Sequence, residues 1–170
     1  MNKLQSCVLA AALLSAASQS QAQTCDPNVR ESTPSDRFSV NANGTVLDQK
    51  TGLMWKQCVE GLKGVGCSRG FPVYGYWKGA LALADQSRFA GYGDWRLPNI
   101  KELQSLLEAR CYEPAINLAV FPGTPANDWL WSSSSMAGQP GFAWSVGLAD
   151  GLVNPRSQLI TAVRLVRGGR

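Results

Sequence analysis

The placement of cysteine constrains this chain more than any other feature, because the residues that can be cross-linked follow a segment that carries the chain out of the cytoplasm. Residues 1–22 hold one positive charge at Lys3, continue through the apolar run CVLAAALLSAA and end on Ser20-Gln21-Ala22, a small-x-small cleavage site. This is the pattern of a secretory signal peptide. Its removal takes Cys7 away and leaves Cys25, Cys58, Cys67 and Cys111, an even number in an oxidising space, so two disulfides are expected. Four cysteines allow three pairings. The Gly-rich stretch VEGLKGVG between Cys58 and Cys67 folds back easily, which favours a local bridge there and leaves Cys25 to tie the N-terminal segment to Cys111. Each bridge contributes ~2–4 kcal/mol, mainly by constraining the unfolded chain. A zinc site needs paired short spacings such as C-x-x-C, and the sequence has none, so no metal is expected.

No later segment approaches ~20 consecutive apolar residues, so no membrane insertion is expected and the product belongs in the periplasm or outside the cell. Residues 23–37 open with QTCDPNVRESTPSD, polar and proline-containing, and read as an extended lead-in held by Cys25. Residues 38–170 fit one domain at roughly 100–200 residues per domain. Phe38 and Val40 alternate with polar residues, Asn43-Gly44 supplies a tight turn before TVLD, and a second turn at Gln49-Lys50-Thr51-Gly52 leads into LMWKQC. That pattern predicts three short antiparallel strands.

The middle of the chain is helical in pattern. In YWKGALALADQSRF, residues Trp77, Ala80, Leu81 and Ala84 recur at three- and four-residue spacings and predict one apolar stripe. In GYGDWRLPNIKELQSLLEAR, Gly91 and Gly93 turn the chain, Trp95 and Leu97 pin it to a core, and Pro98-Asn99 launches a second helix. Asn99 can cap that helix with Glu102 as its capping-box partner, and Ile100, Leu103, Leu106 and Leu107 form its buried side. Strands then return. Phe142, Trp144, Val146 and Leu148 alternate with lighter residues, Asp150-Gly151 makes a hairpin turn, and TAVRLVR predicts a closing strand in a central position. Strands, two helices and strands again give an α+β layout whose ends can meet in one sheet.

Several ordered motifs in this layout, GTVLDQKTGLMWKQC, YWKGALALA, GYGDWRLPNIKELQSLL, LWSSS and VRLVRGG, resemble the Lcl C-terminal domain family, a bacterial extracellular domain named after a collagen-like adhesin. The likeness covers roughly residues 38–169. It implies a C-type-lectin-like fold, since the family looks related to such folds and RLPNIKEL is similar to a segment of the formylglycine-generating enzymes. It also implies an adhesin-like binding role.

The chain contains no histidine, which removes Ser-His-Asp and Cys-His catalysis, imidazole metal sites and the commonest general base. Formylglycine-generating chemistry uses cysteines late in the domain, and none follows Cys111. The calcium-lectin signatures Glu-Pro-Asn, Gln-Pro-Asp and Trp-Asn-Asp are also absent. Paired carboxylates could serve glycoside hydrolysis, but Asp94, Glu102 and Glu108 read as loop, cap and helix-surface residues. No catalytic residue and no cofactor is therefore expected. Trp95, Arg96, Pro98, Asn99, Glu102 and Arg164 are assigned structural roles, with Arg96 and Arg164 as partners in buried ion pairs. Trp55, Trp77, Trp131 and Trp144 read as core, whereas Trp129 lies in the polar run PANDW, where an indole could stack on a sugar.

The formal net charge of +4 is mild and gives no reason to expect nucleic acid, but its distribution is uneven. After Asp150 there is no acid, while Arg156, Arg164, Arg167 and Arg170 follow. Arg156, Arg167 and Arg170, with Trp129, are accordingly the candidate ligand-binding residues. Three readings stand: a non-catalytic module for sulfated or other polyanionic glycans, a cell-envelope component recognising a protein partner, and an enzyme of another kind. The sequence leaves the oligomeric state open.

Overall fold

A computed structural model describes residues 23–168; the expected leader and Arg170 lie outside the described residues. The fold is α+β and mostly sheet. Strand β1 (Thr24–Cys25) precedes the meander β2 (Phe38–Val40), β3 (Thr45–Asp48) and β4 (Met54–Lys56). After β5 (Tyr74–Gly75) come helices α1 (Trp77–Gln86) and α2 (Ile100–Gln104), then β6 (Cys111–Tyr112). The chain ends with β7 (Trp129–Ser135), β8 (Ala143–Gly147), β9 (Val153–Arg156), β10 (Thr161–Ala162) and β11 (Val166–Arg167).

The three expected N-terminal strands form an antiparallel set in which Val40 faces Val46 and Val46 faces Trp55. The C-terminal β11 joins β4 with Val166 against Trp55, so both ends of the domain meet in one four-stranded sheet. Val46, Trp55 and Val166 are all buried and form a continuous apolar row across three strands. The second sheet has the order β5-β10-β7-β8-β9, and its β10–β7 pairing is parallel. A two-stranded β1–β6 ladder sets Cys25 directly across from Cys111, and these two are disulfide-bonded, as are Cys58 and Cys67.

The closing segment departs from the single strand expected of TAVRLVR. Residues from Thr161 through Val166 are all buried, which a half-exposed strand cannot achieve, because the segment leaves one sheet after Ala162 and joins the other at Val166. Arg164 lies in that crossing and is fully buried. Among the described residues the ion pair expected for it is not formed. Its guanidinium donates to the carbonyls of Lys56 and Gln57 and to Thr124 Oγ1 at 2.7 Å, and it stacks 4.8 Å from the Phe121 ring centre. Burial pulls its pKa down to about 9, partly opposed by the charge of Glu60, whose own contact is Lys56 at 2.5 Å. Main-chain oxygens do here what a carboxylate was expected to do.

Both helices depart in detail from their expected faces. In α1 the buried side is Ala80 and Ala84 with Trp77 and Leu83 packed beside them, while Leu81 points outward. Helix α2 is capped as expected: Asn99 Oδ1 accepts from the Glu102 amide at 2.9 Å and Glu102 Oε2 accepts from the Asn99 amide at 2.7 Å. It stops at Gln104, since the Ser105 hydroxyl donates to Glu102 O and Leu106 and Leu107 bond three residues back, so those leucines belong to the turn after the helix. Strand β8 differs again. Ala143, Ser145 and Gly147, the lighter side, are buried along with Val146, because β8 is flanked by β7 and β9 and covered on both faces.

Candidate functional site

The launch of α2 sets the standard against which the other arginines can be judged. Arg96 gives Nη1 and Nη2 to the two carboxylate oxygens of Glu102, at 2.7 and 2.8 Å, and a further Nη2 bond to Gly168 O at 2.8 Å. The Glu102 carboxyl sits below its ordinary range: burial raises it, and the bonds from Arg96 and the Asn99 amide more than offset that. Pro98 is buried, its carbonyl accepts from the Ser133 amide at 2.7 Å, and the Ile100 amide donates to Ser134 Oγ at 2.9 Å. Trp95 is buried with its indole N–H on Phe89 O at 2.9 Å. Every one of these side chains is engaged inside the fold.

Arg167 is engaged as well. Its Nε and Nη2 donate to the two oxygens of Asp94, at 2.7 and 3.1 Å, and its guanidinium lies 3.8 Å from the Tyr92 ring centre. These bonds outweigh the desolvation and raise its pKa. It stands on the four-stranded sheet while Arg156 ends β9 of the five-stranded one, so the fold puts the two candidate arginines in different sheets.

Trp129 and Arg156 are brought together. Trp129 is not in a loop but opens β7, opposite Gly147 of β8, and Arg156 lies opposite Ala143 on the other side of that strand. Between them on the same face β8 carries Ala143, Ser145 and Gly147, all short and all buried. A Cβ at Gly147 would come within 3.1 Å of the indole, so any larger residue there would press on the ring and shift it by a few tenths of an ångström. The Arg156 guanidinium lies 3.4 Å from the ring centre, a cation–π stack. Its Nε is buried without a hydrogen-bond partner, and desolvation lowers its pKa. Among the described residues no carboxylate pairs with Arg156, whereas Arg37, Arg96, Arg110 and Arg167 have Asp48, Glu102, Glu31 and Asp94 respectively.

Sequence reasoning did not find Asp128, Tyr74 or Gly147. Asp128 precedes Trp129 and accepts from the Tyr74 hydroxyl at 2.5 Å, and burial with this bond pushes the Tyr74 phenol up to about 12. No local pattern joins residues 54 apart in sequence. The Gly147 signal was present, as the lightest position on the light side of β8, but its meaning depends on which ring lies across from it.

The sequence pattern that defines the Lcl C-terminal domain matches residues 44–167, from the turn before β3 to the end of β11. The chain belongs to the Lcl C-terminal domain family. No curated protein matches it. Trp129, Gly147 and Arg156 all fall within the Lcl C-terminal domain, whereas Cys25 and the lead-in segment precede it.

In front of the Lcl C-terminal domain, the lead-in is held to it by Glu108. This buried carboxylate accepts from the amides of Ser32 and Thr33, the Thr33 hydroxyl and the Arg110 amide, at 2.8–3.3 Å. A cleft of about 230 Å³ opens beside it, lined by Gln23, Glu31, Arg110 and Asn117 among others. Burial raises the Glu108 pKa, and the four bonds bring it below its ordinary value. It is a carboxylate held ionised to fasten a segment, the reverse of what a general acid needs.

Proposed function

We propose that this protein is an exported, non-catalytic binding module of C-type-lectin-like type that recognises polyanionic glycans through Arg156 stacked on Trp129. The observation that carries the reading is a guanidinium 3.4 Å from the centre of an indole ring, with no carboxylate partner among the described residues. Arginine offers donors in a planar fork that matches sulfate and carboxylate geometry, and stacking holds that fork still, so less freedom is lost on binding. The neighbouring indole can cover a sugar face. The recognition element is narrower than the arginine cluster expected from the C-terminal charge run, because Arg167 already has Asp94.

Other features support parts of this reading. Two disulfides suit an oxidising compartment, and among the described residues no helix is long and apolar enough to cross a membrane. Strands from both ends sharing one sheet, with the helices between them in sequence, fit a C-type-lectin-like layout. A non-catalytic role agrees with the absence of histidine and with the downward shift of the cleft carboxylate Glu108.

The test is retention on heparin across a salt series. Wild type should be retained without calcium and elute as salt screens the contact, given a Debye length of roughly 8 Å at physiological ionic strength. Arg156→Ser and Trp129→Ala should elute earlier, and Arg167→Ser should elute with wild type if folded. Failure of wild type to bind heparin or a sulfated fucan would end the glycan reading in favour of a protein partner.

A further inference from the structure

The loop from Gly61 to Pro72, tied back to Cys58 through Cys67, has no part in the Trp129–Arg156 site, and it leaves large apolar side chains uncovered. Val65 is 96% exposed and Phe71 87% exposed. Tyr76 and Ile160, which flank the same end of the β5–β10 pair, are about 60% exposed. From Gly61 to Ala84 there is no acidic residue, while Lys63, Arg69 and Lys78 are present. No carboxylate pairs with any of these three among the described residues. The Arg69 guanidinium lies over Gly64, the residue before Val65.

The exposure is built into a stiff frame. Besides the disulfide, Lys63 and Arg69 exchange two backbone hydrogen bonds, at 2.9 and 3.1 Å. Gly61 and Gly70 allow the two limbs to touch: a Cβ on Gly61 would lie 2.1 Å from Phe71 O, and one on Gly70 2.3 Å from Gly61 O. Glu60 and Val73, just outside the loop, bond to each other, and the Glu60 amide bonds to Val163 O. A loop so fixed cannot fold Phe71 inward to hide it.

We propose that this loop docks the protein on an anionic lipid surface, with Phe71 and Val65 entering the headgroup region and Lys63, Arg69 and Lys78 meeting lipid phosphates. Exposed apolar residues bordered by basic ones mark an interaction surface, and their chemistry matches the two layers of a membrane interface. Single protruding side chains suit a soft medium that closes around each of them, whereas a protein partner would need a separate matching pocket for Val65 and for Phe71. Aromatic residues such as Tyr76 are at home at the same depth.

The experiment is co-sedimentation of the chain from Gln23 onward, without the apolar leader, with vesicles of phosphatidylcholine alone or of equal parts phosphatidylcholine and phosphatidylglycerol. Wild type should pellet with the anionic vesicles, less so at high salt, and remain in solution with phosphatidylcholine alone. Phe71→Ser should weaken partitioning roughly tenfold and Lys63→Ser about fivefold. Both positions are exposed, so the melting temperature should stay at the wild-type value and separate lost docking from lost folding. Arg156→Ser should pellet as wild type does, which keeps this result independent of the glycan test. Absence of wild-type pelleting, or equal pelleting by Phe71→Ser, overturns the proposal. So does a concentration-dependent dimer in sedimentation velocity that Phe71→Ser abolishes, which would give the loop to a second copy of the chain.

Discussion

The launch of α2 and the Trp129–Arg156 face each contain an arginine and a tryptophan, and they use them in opposite ways. At the launch, Arg96 is bound to Glu102 and Gly168, and the Trp95 indole N–H is bound to Phe89. On the sheet face, Arg156 lies against the π surface of Trp129, and among the described residues its Nε has no hydrogen-bond partner. A charge answered within the fold contributes to folding; a charge held in place but unanswered is available to something outside. The proposed binding role rests on this difference and not on the density of arginine along the chain, which pointed equally to Arg156 and Arg167.

Mutations can break this comparison, and the largest effect belongs to the launch. Trp95→Ala removes a buried indole and should cost ~3–5 kcal/mol in denaturant unfolding. Heparin affinity, corrected for the folded fraction, should be unchanged; loss of affinity with an unchanged unfolding midpoint would make the launch a binding site.

Next comes the lead-in fastening. Glu108→Gln leaves donors facing a poorer acceptor and should cost ~1–3 kcal/mol at neutral pH. Its folded-state pKa lies below the ordinary 4.5, so the stability that it contributes is present above that value and is lost as pH falls through the folded-state pKa. An acid titration of wild type should therefore be steeper in this range than that of Glu108→Gln. Matching profiles would remove Glu108 as the pH-sensitive fastening.

Asn99→Ala deletes half of the capping box and should cost ~0.5–2 kcal/mol, read as a shift in unfolding midpoint. Arg156→Ser closes the series, with a stability change of ~0.5–1 kcal/mol from the lost cation–π stack but the largest fall in heparin retention. Were Arg156→Ser instead to destabilise as much as Trp95→Ala, the stack would be a packing element and the contrast between the two regions would fail.

What the sequence by itself determined are features whose causes lie a few residues apart. The Asn43-Gly44 turn with Gly44 at φ +81°, the Asn99–Glu102 capping box and the meander from β2 to β4 all depend on neighbours along the chain, and all were legible there. The tertiary structure decided the rest, because it sets which strand lies beside which. Arg167 meets an acid 73 residues earlier in the chain, Arg164 meets carbonyls more than 100 residues away, and the Trp129 ring lies close against Gly147 across from it. Local spacing states that an arginine is present; only the packing of distant segments settles whether its charge is answered.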